Sequence, residues 1–280
     1  MTRIFNMLKT RLAGRLPSNI IEQLPRGYQK IGDIMIISIK PEVLPYREII
    51  ASELTRIIPN TRTVLLKKGG VTGDFREPNL ELIIGDSNTE TIHVENNCFF
   101  KLDVKNIMFS KGNISERRRI AKLVRDGETV VDMFAGIGYF SINIAKHAKP
   151  RKIIAIELNP LAYKYLLDNI VLNKVENIIE PIQGDAGEVC DSLPFTADRV
   201  IMGLLPSPKK YAKTAVKILR RPGIVHYEGV CQSNSQGEEL LDEFIISSEL
   251  SKENVKLIGC KNIKSFGPHK NHVRIDVQVE

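Results

Sequence analysis

The sequence of 280 residues has no long hydrophobic run and little cysteine. No apolar stretch approaches the 18 residues that a membrane-spanning helix needs, and the start has no signal-peptide core. We therefore expect a cytoplasmic protein without a membrane partner. The four cysteines lie far apart and form no Cys-x-x-Cys pair, so neither a metal site nor a disulfide framework is expected. We predict buried, reduced thiols at Cys98, Cys190, Cys231 and Cys260.

The basic residues are distributed unevenly along the chain. Residues 1–70 contain twelve Lys or Arg and five Asp or Glu, an excess of seven that equals the net charge of the whole sequence. A basic block beside an otherwise neutral remainder favours a polyanionic partner, because phosphates attract Lys and Arg. A solvated basic face without a partner is the alternative that charge alone leaves open.

The first 105 residues mix helical and extended patterns. Apolar residues recur every four positions over residues 1–25, with an interruption at Pro17, and again with helical spacing over 46–58. The predicted strands have β-branched residues between glycine turns: 28–40, 63–66, 80–84, 91–95 and 98–103. We predict that residues 1–105 form a small α+β domain in which nothing has catalytic spacing.

Residues 106–280 alternate between strands and helices. The predicted strands are 129–132, 152–156, 179–183, 198–203 and 223–227. The predicted helices are 137–148, 160–173, 207–220 and 237–250. Such alternation is typical of a parallel sheet with right-handed crossovers. Two final strands, 255–264 and 273–279, have no helix between them. They predict a terminal antiparallel hairpin on a Rossmann-like α/β domain.

The stretch from Thr129 to Phe140 has the most informative pattern. β-branched residues precede an acidic residue, small residues and two glycines, a pattern that predicts a strand, a tight loop and a helix. Nineteen residues after Gly138, a second strand ends in Glu157, whose carboxylate can bond both hydroxyls of a ribose. The loop lacks a third glycine at Tyr139–Ser141, which argues against a pyrophosphate. A nucleoside-containing cofactor is therefore predicted.

Two other strand ends carry candidate polar groups. Asp185 follows the third strand and would lie beside an adenine, where a carboxylate can accept a hydrogen bond from the exocyclic amine. A turn aspartate is the alternative. His226 ends the fifth strand and is either an acid–base group or a hydrogen-bonded core residue.

The junction between the two predicted domains is polar. Asn113 and Glu116 have the spacing of a capping box, which predicts a helix from there through Val124. Ser110, Lys111 and Gly112 form a polar loop before this helix that could face a ligand, and Arg117 lies one turn into the helix. A charged helix start that only links two domains is the alternative.

Several of these motifs together resemble known enzymes. The Asp-x-Phe-Ala-Gly-x-Gly loop and the Glu-x-Asn-Pro strand end resemble the S-adenosylmethionine site of the class I methyltransferase fold. With the Phe-Ser-x-Gly-Asn junction, they resemble two related families that modify tRNA at position 37, next to the anticodon. One family comprises the guanine-37 N1-methyltransferases. The other comprises the wybutosine-pathway enzymes that transfer the 3-amino-3-carboxypropyl group of S-adenosylmethionine to 4-demethylwyosine.

The end of the fourth strand separates these two families. The methyltransferases typically carry Asn-Leu-Pro or Asn-Pro-Pro there, and the Asn side chain helps to position the target base. This chain has Gly203, followed by Leu-Leu-Pro-Ser, which resembles the aminocarboxypropyltransferases. The resemblance therefore implies aminocarboxypropyl transfer with release of methylthioadenosine. A guanine-37 N1-methyltransferase is the alternative.

The resemblance also implies a cofactor site and a partner. The residues that it places at S-adenosylmethionine are Ser110, Arg117, Phe134, Gly136, Glu157, Asp185 and Ala186. Ser110 and Arg117 would hold the methionine tail so that its γ-carbon faces the base. The implied partner is the anticodon loop of tRNA, bound by a monomer through its basic first 70 residues, without a separate domain for the tRNA elbow. No residue is assigned to removing the proton from the acceptor carbon.

Overall fold

A computed structural model describes residues 3–73, 75–193, 197–235 and 237–280. The chain divides into two compact units. The first comprises Met1–Val94 and Phe100–Lys111, and the second comprises Glu95–Phe99 and Gly112–Glu280. Across the described ranges, none of the helices has the length and apolar character needed to cross a membrane.

The first unit combines short helices with a mixed sheet. Its helices are α1 (Arg3–Leu12), α2 (Ser18–Ile21) and α3 (Arg47–Ile57). Its sheet strands are β1 (Gln29–Ile31), β2 (Ile34–Ile37), β3 (Thr63–Thr72) and β4 (Glu77–Gly85), in the order β1-β2-β3-β4. The strands β5 (Glu90–Glu95) and β6 (Cys98–Asp103) form a separate two-stranded sheet, whose turn is counted with the second unit.

The core of the first unit follows from helical periodicity. Phe5, Leu8 and Leu12 lie on one face of α1 and are fully buried. They pack with Ile50 and Leu54 of α3 in one apolar cluster. The predicted break at Pro17 is present, since α1 ends at Leu12 and α2 begins after the proline.

Strands β3 and β4 extend well beyond their predicted ends. The first four residues of β3 are buried, whereas the six from Lys67 to Thr72 are exposed. The sequence pattern predicts only the buried part because hydrophobic alternation stops where the strand enters solvent. Arg62, which precedes β3, donates to Asp33 and Asp86 at 2.8 and 2.9 Å. Its guanidinium therefore connects the turn at Asp33 with the turn at Asp86.

The second unit is a doubly wound α/β sheet. Its helices are α4 (Ile114–Leu123), α5 (Ser141–His147), α6 (Pro160–Asn173), α7 (Ala186–Ser192), α8 (Ala212–Lys217) and α9 (Glu238–Ser248). Its sheet strands are β7 (Thr129–Asp132), β8 (Lys152–Glu157), β9 (Ile179–Gln183), β10 (Ala197–Met202), β11 (Leu219–Gln232), β12 (Val255–Gly267) and β13 (Lys270–Val279). The predicted α/β fold and its terminal antiparallel hairpin, β12–β13, are confirmed.

The strand order is β12-β13-β11-β10-β7-β8-β9. Strands β9, β8, β7, β10 and β11 are parallel, and β13 runs antiparallel to β11. The chain proceeds from β7 towards β9 on one side and from β10 to β11 on the other. A switch point therefore lies between β7 and β10, where open α/β sheets bind ligands at the carboxyl ends of the strands.

Several local predictions are wrong. The helix predicted from residue 137 begins at Ser141, because Gly136 and Gly138 adopt left-handed φ values of 58° and 96°. The helix predicted over 207–220 is a 3₁₀ turn followed by α8. Helix α7 was not predicted, since its seven residues bury only two side chains.

Two predictions about individual side chains are also wrong. Asn113 precedes α4 without a capping hydrogen bond from its side chain. The other half of the predicted capping box, Glu116, instead accepts hydrogen bonds from Arg119. Cys260 is exposed, whereas the other three cysteines are buried.

A chain of buried charged groups crosses the sheet of the second unit. Arg199 on β10 donates through Nη1 to His226 Nε2 at 2.7 Å. Because a guanidinium only donates, that nitrogen is an acceptor, and His226 Nδ1 carries the proton that it donates to Asp276 at 2.5 Å. Asp276 also accepts two hydrogen bonds from Arg119 on α4. The network thus joins α4 to three neighbouring strands.

Candidate functional site

The glycine loop after β7 has a backbone conformation that side chains would obstruct. A Cβ atom on Gly136 would lie 2.5 Å from Tyr139 Cε2, and one on Gly138 would lie 2.5 Å from Ile142 Cδ1. Both glycines also have positive φ, which favours glycine. The loop therefore presents bare backbone at the end of β7.

Glu157, at the end of β8, is fixed against this loop. Its Oε2 accepts a hydrogen bond from Gly136 N at 2.7 Å, and its Oε1 accepts one from Asn159 N at 2.8 Å. Burial raises the pKa of Glu157, although the backbone N–H groups oppose the shift. Each carboxylate oxygen has a further lone pair. The two oxygens can thus accept hydrogen bonds from adjacent ribose hydroxyls.

Asp185 has two structural partners besides any ligand. Its Oδ1 accepts hydrogen bonds from Gly187 N and Glu188 N, which caps α7. Its Oδ2 accepts one from Tyr211 at 2.8 Å, and the Tyr211 ring meets Phe134 edge-on with centroids 5.1 Å apart. Burial works to raise the pKa of Asp185, but these hydrogen bonds outweigh it and lower the pKa.

The structure thereby brings five predicted residues together at the carboxyl ends of β7, β8 and β9. Phe134, Asp185 and the first residue of α7, Ala186, lie near one another, and Gly136 contacts Glu157 at the neighbouring strand end. Tyr211, which links Asp185 to Phe134, was missed because it lies 26 residues after Asp185 without any motif. Only the fold reveals its place.

Arg117 has a carboxylate partner within the protein. It is 2% exposed and forms an ion pair with Glu95. Its guanidinium carbon lies 4.9 Å from the centroid of the Tyr139 ring in the glycine loop. Glu95 was also missed, since it precedes Arg117 by 22 residues. Ser110 belongs to the first unit, where it is half-buried in a loop.

The end of β10 carries no side chain at Gly203, and a carboxylate lies beside it. Met202 is paired with Tyr227, so the next residue of β11, Glu228, is level with Gly203. Glu228 is 2% exposed and forms an ion pair with Arg274. His272 Nε2 donates to its Oε2 at 3.1 Å.

His226 is a structural residue. Strand β11 continues to Gln232, so His226 lies within the strand and is completely buried. Burial lowers its pKa to about 4, which agrees with the neutral tautomer that Arg199 and Asp276 require. Of the two roles open for His226, the hydrogen-bonded core residue is the one found.

These features define the class of protein. A glycine loop and a strand-end carboxylate lie at the switch point of a doubly wound sheet with a terminal antiparallel hairpin. This is the architecture of Rossmann-like, class I S-adenosylmethionine-dependent transferases. Residues 91–257 match the TRM5/TYW2 methyltransferase domain, and residues 8–89 match the TYW2 N-terminal domain. The chain belongs to the TRM5/TYW2 family.

Similar proteins extend over nearly the whole chain. The tRNA(Phe) (4-demethylwyosine(37)-C(7)) aminocarboxypropyltransferase of Methanocaldococcus jannaschii is 40% identical, covering 90% of this chain and 98% of the relative. The protein of the same name from Pyrococcus horikoshii is 37% identical, covering 96% and 94%. The crystal structure of P. horikoshii TYW2 in complex with MeSAdo has a TM-score of 0.83 at 34% identity and covers 98% of both chains.

Proposed function

We propose that this chain transfers the 3-amino-3-carboxypropyl group of S-adenosylmethionine to carbon 7 of 4-demethylwyosine at position 37 of tRNA(Phe). The observation that carries the proposal is the near full-length similarity to two aminocarboxypropyltransferases. Gly203 at the end of β10 agrees with it, since a guanine-37 methyltransferase would be expected to have Asn there. Methylthioadenosine is the second product.

The nucleoside part of the co-substrate fits the residues at β7, β8 and α7. Glu157, fixed by Gly136, bonds the ribose hydroxyls. Asp185 accepts a hydrogen bond from the adenine amine, and Tyr211 holds the carboxylate in place. Phe134 and Ala186 supply apolar contacts beside it.

The methionine part requires orientation. The sulfonium activates both its methyl and its γ-carbon, and the methyl is less hindered, so positioning must decide which group leaves. We assign this role to Ser110 and Arg117, which bond the amino-acid tail. In the reaction a bond forms between carbon 7 and the γ-carbon. The bond from sulfur to the γ-carbon breaks, its electron pair stays on sulfur, and carbon 7 loses a proton.

We assign tRNA binding to residues 1–105, and co-substrate binding and chemistry to residues 106–280. The charge excess of the first 70 residues supports the first assignment. So does the exposed part of β3, which carries Lys67 and Lys68, the latter in a surface ion pair with Glu81 at 2.9 Å. Contact with the anticodon loop and a monomeric state stay predictions.

The direct test is the nucleoside by-product. Incubation with S-adenosylmethionine and tRNA bearing 4-demethylwyosine should release methylthioadenosine, which chromatography separates from S-adenosylhomocysteine. Release of S-adenosylhomocysteine alone would identify a methyltransferase instead. Absence of both would indicate a tRNA-binding protein without this chemistry.

Replacing Glu157 by alanine should weaken S-adenosylmethionine binding. The carboxylate makes charge-assisted hydrogen bonds to ribose, and a loss of about 1.5–3 kcal/mol with them corresponds to a roughly tenfold to hundredfold loss of affinity. Calorimetry measures the affinity, with circular dichroism to verify folding. Glu180→Ala, in the neighbouring strand and half exposed, is the control. Unchanged affinity in folded Glu157→Ala would refute the assignment.

Binding of tRNA should fall steeply with salt, because neutralising phosphates releases counterions. Replacing Lys67 and Lys68 together by glutamine should reduce the slope of log K against log salt by about two. The control removes the same charge at Lys213 and Lys217, exposed lysines of the second unit. Filter binding at several salt concentrations gives both slopes, and a wild-type slope in the first variant would show that β3 does not contact tRNA.

Arg62 is unsuitable for this experiment although it adds to the basic block. Its guanidinium donates to two carboxylates and to the carbonyls of Asn88 and Glu90. The two carboxylates raise the pKa of Arg62. Replacing it would disturb the first unit itself and would not isolate a phosphate contact.

A further inference from the structure

A buried carboxylate faces a small gap at the ligand edge of the second unit's sheet. A Cβ atom built on Gly203 would lie 3.7 Å from Glu228 Oε2 and 3.5 Å from Phe140 Cε2. Both are ordinary van der Waals distances, so the missing side chain leaves room for about one methyl group between carboxylate and ring. The gap lies at the carboxyl end of β10, next to the switch point.

Glu228 is held as an anion with capacity to accept more. Arg274 Nη2 donates to its Oε1, and His272 Nε2 donates to its Oε2. A carboxylate can accept about four hydrogen bonds, and Glu228 accepts two from these residues. Burial would raise the pKa of Glu228, but the charge of Arg274 and the hydrogen bond from His272 lower it to about 2. The group is therefore ionised at any physiological pH.

The position of Glu228 separates it from the nucleoside of the co-substrate. Glu157 ends β8, which lies three strands from β11 in the sheet order. With about 4.8 Å between strands, this is a separation of roughly 14 Å. Arg274 connects Glu228 to the reacting region, because its guanidinium carbon lies 4.4 Å from the centroid of the Phe140 ring, just after the glycine loop. Glu228 thus lies at the same edge of the sheet as the glycine loop but apart from the residues assigned to the nucleoside.

We propose that Glu228 determines specificity for the acceptor base by accepting a hydrogen bond from its ring N–H. The inference rests on the proposed function. Neutral 4-demethylwyosine has one ring N–H, and wyosine carries a methyl group in its place. When carbon 7 attacks the γ-carbon, the ring loses electron density and the N–H becomes a stronger donor. The bond to an anion therefore strengthens in the transition state, which is the condition for accelerating the reaction.

This role does not require Glu228 to take a proton. Carbon 7 supplies the electron pair of the new bond, and the pair of the broken bond leaves on sulfur. The proton of carbon 7 passes to water, and the ring N–H keeps its own. A carboxylate with a depressed pKa is a poor base, but it stays ionised and can still accept a hydrogen bond.

The test uses the Glu228→Gln variant with S-adenosylmethionine and tRNA bearing 4-demethylwyosine. The amide has the same shape but no charge, so kcat for methylthioadenosine release should fall roughly 100-fold, as when a charge-stabilising group is lost. Affinity for S-adenosylmethionine, measured by calorimetry, should stay at the wild-type value, and KM for the tRNA should change far less than kcat.

Two further variants separate this role from structural damage. Glu116→Gln also removes a buried carboxylate beside Arg274, whose Nε lies 3.6 Å from Glu116 Oε1, but on helix α4 instead of strand β11. It should lower the melting temperature and leave kcat largely intact. Gly203→Ala fills the gap at van der Waals distances. It should keep the melting temperature and lower kcat.

The outcomes are distinct. Equal losses of kcat in Glu228→Gln and Glu116→Gln would assign Glu228 a structural role and overturn the inference. A loss of S-adenosylmethionine affinity in Glu228→Gln would assign the carboxylate to the amino group of the co-substrate and overturn it as well. Full activity of Glu228→Gln beside active wild-type protein contradicts only this inference. Wild-type protein that releases no methylthioadenosine contradicts the proposed function and the inference together.

Discussion

An Arg117→Ala variant should bind S-adenosylmethionine with a modest loss of affinity yet transfer the aminocarboxypropyl group about 100-fold more slowly. In the proposed site, most of the binding free energy is expected to stay with the adenosine, through Glu157 and Asp185. What the variant loses is orientation of the methionine tail, so the γ-carbon no longer faces the base and some methyl transfer becomes possible. The measurement is the ratio of methylthioadenosine to S-adenosylhomocysteine with tRNA bearing 4-demethylwyosine.

The ion pair of Arg117 with Glu95 supplies the control for this experiment. Removing Arg117 also leaves a buried carboxylate without that partner, which could slow the enzyme by distorting the loop at Tyr139. Glu95→Gln breaks the same pair but keeps the guanidinium. If Glu95→Gln lost as much transferase rate as Arg117→Ala, the broken ion pair would explain the loss. Binding of the methionine tail by Arg117 would then not be needed to explain it. Full transferase rate in Arg117→Ala would leave Arg117 as a structural residue.

The sequence predicts best where local and tertiary signals agree. Helix α6 has its predicted bounds because Asn159 caps it, Pro160 is its first residue and Lys174 ends it in a left-handed conformation. Strand β7 and the glycine loop were also predicted, because β-branched residues favour a strand and the two glycines that follow favour a tight loop.

Strand β13 shows where the sequence is insufficient. His272, Arg274 and Asp276 alternate with apolar residues, a pattern typical of a strand with one face in water. All three are nevertheless buried, because charged partners arrive from other elements, among them Glu228 on β11 and Arg119 on α4. Such partners lie more than 40 residues away in the sequence, and periodicity carries no information about them.

Some residues of the candidate site are likewise predictable from the sequence, and others are not. Glu157 and Gly136 were found from spacing, and the structure places them 2.7 Å apart. Asp185 was assigned a ligand contact, but its capping of α7 was not foreseen because the helix is short. The role proposed for Glu228 follows only from its register with Gly203, which depends on the pairing of β10 and β11.

The Arg199→Met variant should lose more stability than any other variant proposed above. Its free energy of unfolding should fall by about 3–5 kcal/mol. Arg199 is 1% exposed and donates to both oxygens of Glu128, at 2.7 and 3.0 Å. It also donates to His226 Nε2 and to the carbonyl of Leu123 at the end of α4. Methionine fills similar volume but satisfies none of these acceptors, which stay in a largely dry interior.

Arg220→Met is the matched control, because the same exchange is made in the next strand at an exposed ion pair. Arg220 Nη1 lies 2.6 Å from Asp198 Oδ1, but its side chain is 52% exposed, and such pairs contribute about 0–1 kcal/mol. Urea unfolding followed by circular dichroism gives both free energies. Equal, small losses in the two variants would mean that water reaches Glu128 and Leu123 once the guanidinium is gone. In that case α4 would be held to the sheet by packing and by the bonds of Arg119 to Asp276, rather than by Arg199.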